Sequence, residues 1–221
     1  MGTAPCGEPR PERRKIMSTR KGIQTFFSLP LDFSLLELEP ETGDDPMRYF
    51  CTPENAELIG WGSSGTHFVL LPGDEAVYCV EPELAGEGTF VLPVGADFRE
   101  FLSHLLYCKC TSPLAQIFCM EEARFRKLLA DNDANTWPGC EEDFKRRDAS
   151  LALLAETFHI QPRDPFRRVK ELQAAFAPSV LKFSDEYYDT LGLEKPKGRK
   201  VQQRKPLFTF EPVEFRMKKE S

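Results

Sequence analysis

At 221 residues, with 41% hydrophobic and 29% charged residues, the chain has room for one domain with an extension or for two small domains, and it is too apolar for general disorder. No run approaches the roughly 18 apolar residues of a membrane span, and the Pro-, Arg- and Lys-rich first 22 residues lack the apolar stretch of a secretory signal, so a cytoplasmic protein is expected. The net charge of −6 conceals an asymmetry: residues 1–22 carry six Lys/Arg against two Glu, residues 194–221 carry nine against four, and the body between them carries 14 against 29.

An acidic body between basic tails favours a basic protein partner over nucleic acid, although an acidic surface also serves solubility alone. Seven scattered cysteines, an odd number, read poorly as a disulfide framework and fit reduced thiols. Cys79, inside an apolar run, reads as core filler.

Residues 1–22 are expected to form a disordered basic tail, and Met17 opens a more ordinary segment, MSTRKGIQTFF, that suits an alternative start. Residues 26–38 are apolar but broken at Pro30 and fit either an early strand or a short helix. Leu58-Ile59-Gly60-Trp61 is a short apolar run that stops at the turn Gly62-Ser63-Ser64-Gly65. Residues 66–71, 76–80 and 89–94 are rich in β-formers and separated by Pro/Gly turns. Such short connections predict an antiparallel meander, because parallel pairs need long crossovers.

The period then changes. Phe98, Phe101, Leu102, Leu105 and Leu106 form one helical stripe, with Asp97 placed as N-cap and Glu100 three residues later. Residues 114–129 read as a single amphipathic helix, and residues 144–158 as another. Asp164-Pro165 starts a third, and Ser184 to Gly192 delimit a short last one. The expected fold is α+β: an antiparallel meander packed by an amphipathic helix, then a helical extension. The expected divisions are a disordered basic tail (1–22), an α+β core (23–111), a helical extension (112–193) and a basic C-terminal tail (194–221).

The strings LIGWGSSGTHFVLLPGDEAVYCVEP and GTFVLPVGADFREFLSHLL, with PFRRVKELQAAF and Tyr187-Tyr188-Asp189 further on, resemble bacterial members of the SUKH superfamily, which includes Syd and the yeast cell-wall assembly regulators. The resemblance rests on Trp61, Gly65, His67, Pro82, Phe98, Phe101 and Leu102, and it covers about half the chain. It implies an α+β fold used for binding, in many members as immunity proteins that neutralise toxins. The basic tails and the stretch before Cys51 depart from that pattern.

Candidate chemistry is sparse. Gly60-Trp61-Gly62-Ser63-Ser64-Gly65 lacks the Gly-x-Ser-x-Gly register of a nucleophile elbow. Cys108-Lys109-Cys110 has no second spaced pair, although His104 stands one helical turn before Cys108. The acidic run Asp131 to Asp143 around Trp137 has Thr136 where a calcium loop needs glycine. There is no glycine-rich phosphate loop, and no cofactor is expected. His67 either points outward to a ligand or inward to a backbone carbonyl at the turn.

The leading expectation is a non-catalytic protein-binding module with Trp61, His67, Tyr78 and Trp137 as contact residues. One alternative is a metal-dependent or hydrolytic enzyme using His67 or His104 with nearby cysteines. Another is a scaffold docking through its basic tail. Nothing in the sequence sets the oligomeric state.

Overall fold

A computed structural model describes residues 18–42, 48–84, 89–134 and 139–196. Four strands, β1 (Glu57–Trp61), β2 (His67–Leu70), β3 (Val77–Val80) and β4 (Val91–Gly95), form one antiparallel sheet in the order β1-β2-β3-β4. The run ending at Trp61 is therefore itself a strand, and the meander has one strand more than the β-former count suggests. The register places Trp61 opposite His67, His67 opposite Val80 and Val80 opposite Val91, so these four residues cross one end of the sheet in a row. The β1–β2 turn is made by Ser64 and Gly65, both with positive φ (53° and 80°).

Helix α1 (Thr19–Phe27) precedes the sheet, and α2 (Phe98–Cys108) follows it. The Asp97 side chain accepts from Glu100 N at 2.7 Å, and the Glu100 carboxylate accepts from Ala96 N at 2.7 Å, so the cap forms as its sequence requires. Phe98, Phe101, Leu102 and Leu105 are almost wholly buried against Phe68, Leu70, Val77 and Cys79 of the sheet. Each contributes about 1.5–3 kcal/mol by leaving water.

The single helix expected over 114–129 is broken. Helix α3 (Ser112–Gln116) passes into a 3-10 turn at Ile117–Cys119, and α4 (Glu122–Ala134) starts afresh. Met120 between them is extended (φ −107°, ψ 146°) and buried. The break lets Ile117 and Met120 both reach the core, while Glu122 takes the first turn of α4, where its charge suits the helix N-terminus. Helices α5 (Glu141–Phe158), α6 (Phe166–Ala175) and α7 (Asp185–Leu191) complete the chain. Pro165, rather than Asp164, occupies the N-cap of α6, and Gly192 (φ 65°) terminates α7 in the left-handed conformation.

One expected boundary changes. Residues 19–22 are not a tail: Thr19 N donates to Glu75 at 2.9 Å, its hydroxyl accepts from Phe98 N at 3.3 Å, and Gly22 lies against the Phe98 ring. The helical extension over 112–193 packs directly on the rest, since Phe125, Leu151, Leu154 and Phe158 share one core with α1, α2 and the sheet. The opposite sheet face (Val69, Tyr78, Val80, Val91) is covered by Phe176, Leu181, Phe183, Tyr187 and Leu191. Both faces of the sheet are thus occupied. No helix among the described residues is long and apolar enough to cross a membrane. Residues 1–17 and 197–221, which hold most of both basic tails, lie outside the described residues.

Candidate functional site

With both faces covered, the sheet meets its surroundings at its ends. At one end β1 finishes in Trp61, whose backbone exchanges two 2.8 Å hydrogen bonds with Glu39, while its indole N–H donates to the Glu41 carboxylate at 2.6 Å. Tyr49 packs beside Trp61 (ring centroids 5.9 Å apart) and stacks on His67 (5.8 Å). Across the row, the Thr66 hydroxyl donates to Glu81 at 2.6 Å, which fixes that carboxylate at the same end. Trp61 and Tyr49 are half-buried, so an aromatic surface is open between the carboxylates.

The chain segment that supplies this end is acidic. Positions 37–83 hold eleven Asp/Glu and one cation, Arg48. Glu57 and Glu75, at the other end of the sheet, share Arg20. Glu39, Glu41, Glu81 and Glu83 have no ion-pair partner among the described residues. This concentration is legible as a simple count, but averaging over the whole acidic body conceals it.

His67 lies next to Trp61 but inside the fold, with no exposed surface. Its Nδ1 is 2.9 Å from the Gly65 carbonyl and its Nε2 is 2.9 Å from the Thr52 hydroxyl. A carbonyl can only accept, so Nδ1 carries the proton and Nε2 accepts from Thr52. Burial is the main reason its pKa is pulled down to about 4, and nearby Arg48 adds to the shift. The inward alternative therefore holds, and His67 presents nothing to a partner. Tyr78 is also interior: it is 5% exposed, its ring packs on Phe176, and its hydroxyl donates to Asp74 at 2.6 Å. Burial, then the Asp74 bond, raise its pKa.

Trp137 lies outside the described residues. The acids near it in sequence are largely matched by local cations: Asp131 with Lys127, Asp133 with Lys109, Glu142 with Lys145 and Asp143 with Arg146. Asp131 and Asp133 belong to α4, so they do not form a calcium loop.

His104, Cys51, Cys79, Cys108 and Cys140 are likewise interior. The His104 Nδ1–H donates to the Val94 carbonyl at 2.9 Å, and burial lowers its pKa. Burial raises Cys79 and Cys108 well above the ordinary thiol value and pushes Cys51 and Cys110 up to about 12. These four sulfurs stay protonated at neutral pH, and a thiol in that state is a weak nucleophile. Among the described residues no three His, Cys, Asp or Glu side chains converge as metal ligands would.

Among the described residues, Trp61 is the one sequence-derived contact residue placed at an accessible position, and the structure adds Tyr49, Glu39, Glu41 and Glu81. Fold and site together describe an α+β protein with an aromatic, carboxylate-rimmed sheet end. Comparison with known proteins adds no relative: no family model, curated protein or solved structure matches the chain.

Proposed function

We propose that the chain is a SUKH-like, non-catalytic binding module, of immunity or regulatory type, that holds a cationic protein partner at the Trp61 end of its sheet. The observation carrying this reading is the half-buried Trp61 ring, fixed by Glu41 and set among carboxylates that lack cation partners among the described residues. Uncompensated carboxylates steer a cationic surface toward the site. A tryptophan face then accepts a Lys or Arg head group, and its rigid ring is a preferred interface anchor. The motif residues behind the SUKH resemblance take structural parts in this arrangement: Trp61 closes β1, Gly65 makes the turn, His67 locks it, and Phe98, Phe101 and Leu102 seat α2 on the sheet.

The test is a titration of the full chain, carrying Trp137→Phe so that Trp61 is the sole indole, with an Arg/Lys-rich peptide followed by tryptophan fluorescence. Binding should weaken steeply as salt rises and the Debye length shrinks from about 10 Å to about 3 Å. Trp61→Ala should lower affinity about tenfold or more in a parallel calorimetric titration, within the range of an interface anchor. Salt-independent binding, or full affinity in Trp61→Ala, would reject the reading.

A further inference from the structure

A second surface, unrelated to the Trp61 end in chemistry, lies among the helices. A groove of about 380 Å³ opens between the C-terminal end of α2, α4, α5 and the turn at residues 34–37. Its apolar walls include Leu35, Leu129 and Phe144, and its charged lining is Glu37, Lys109, Asp133, Asp143 and Arg147. All but one of these charges have a strong partner. The Glu37 carboxylate accepts from Ser112 N at 3.0 Å, Lys109 and Asp133 pair at 2.6 Å, and Asp143 pairs with Arg146 at 2.6 Å.

Arg147 is the exception. Its side chain is 15% exposed, its guanidinium lies over the Phe144 ring at 4.8 Å, and its only ion pair among the described residues is a 3.5 Å contact with the exposed Asp148. Its Nε–H is buried with no hydrogen-bond partner among the described residues. A nearly buried guanidinium with an unmet Nε–H is costly, and a carboxylate is the group whose geometry it matches best. At about 380 Å³ the groove is also of ordinary size for a small-ligand site, and its lining mixes apolar walls with these charged groups.

We propose that this groove binds a small monocarboxylate, its anionic head paired with Arg147 and its apolar body lying on Phe144, Leu129 and Leu35. The other charges leave room for only one negative head group, since Glu37, Asp133 and Asp143 disfavour a dianion. The sulfur of Cys110, held protonated by burial and the adjacent Glu37, is a neutral neighbour for that head group.

The test is a ¹H–¹⁵N NMR titration of the full chain with three probes of one length: hexanoate, 1-hexanol and hexylamine. Hexanoate should give saturable shifts centred on Phe144, Leu129 and Lys109, with 1-hexanol about tenfold weaker or more and hexylamine weakest, as expected for a charge-assisted hydrogen bond. Arg147→Gln should abolish the advantage of hexanoate over 1-hexanol, and Arg147→Lys should retain part of it. Equal binding of hexanoate and 1-hexanol to the unmodified chain would overturn the proposal without recourse to any variant. Unchanged hexanoate affinity in a folded Arg147→Gln protein, or shifts centred elsewhere, would also overturn it. Peptide binding at Trp61 should survive Arg147→Gln, so failure at one site is distinguishable from failure at the other.

Discussion

Acid should weaken this protein well before its carboxylates titrate, and His67 supplies a measurable part of the effect. In the unfolded chain His67 titrates near 6.5, whereas burial in the fold holds it at about 4. Between those values the unfolded state binds more protons than the native one, so stability falls as pH drops through the window. Each pH unit below 6.5 removes about 1.4 kcal/mol, giving roughly 3 kcal/mol by pH 4. Below that the contribution is constant; above 6.5 it is fully retained. His104 shifts in the same direction and steepens the slope, so the His67 share must be isolated with a variant. Asp74, Glu75 and Glu100 have lowered values and lose their stabilisation only from the ordinary carboxylate range downward, which keeps pH 6.5 to 5 a histidine window. Urea unfolding of the wild type and His67→Asn at half-unit steps from pH 7 to 5 measures it. The variant should start lower, by about 1–3 kcal/mol for the broken Thr52 and Gly65 bonds, and then decline more gently, converging on the wild type by about 2 kcal/mol at pH 5. An identical slope in the two proteins would refute the assignment of a buried neutral imidazole.

Three further outcomes follow from single contacts. Gly65→Ala should destabilise the fold by at least about 1–2 kcal/mol, since φ is 80° and the new methyl collides with the Tyr49 ring; a Tm equal to wild type would show that the turn and Tyr49 relax freely. Asp97→Ala should cost about 1 kcal/mol in urea unfolding by removing the α2 cap, and a negligible change would mean that Glu100 and solvent suffice. Iodoacetamide at pH 8 should modify the exposed Cys119 long before Cys51, Cys79, Cys108 or Cys110, as read by peptide mass spectrometry; early alkylation of Cys110 would contradict its raised pKa.

The parts of the fold that were legible in the sequence are those whose causes are local. Helix α2 carries its stripe and its cap within a few turns, and β2 to β4 are bounded by their own turns. What was hidden depends on distant partners. Thr19 and Gly22 look like part of a basic tail until Phe98 and Glu75 are brought against them. Met120 falls off the helical stripe from Leu114 to Leu129, and only its burial beside Ile117 explains the extended break between α3 and α4. The direction of His67 is set by Thr52, upstream in an irregular segment, which strand alternation cannot reveal. For the site, Trp61 was legible as an aromatic closing a short apolar run before a turn; Arg147 was not, because its lack of a strong partner is a property of the packed helices.

The segment 37–41 links the two surfaces. Glu37 has positive φ (52°), its carbonyl accepts from Thr111 Oγ1 at 2.5 Å, and its carboxylate lines the helical groove. A little further along the chain, Glu39 and Glu41 frame Trp61. A substitution within 37–41 therefore disturbs both places and cannot assign a binding loss to either. Trp61 and Arg147 are the better probes, because their neighbours differ: Glu41, Tyr49 and His67 for the first, Phe144 and Asp148 for the second. Their chemistry also differs in sign. A cationic ligand lost with Trp61 and an anionic ligand lost with Arg147 would place two independent recognition sites on one fold, whereas losses shared by both variants would point instead to a common fault in packing.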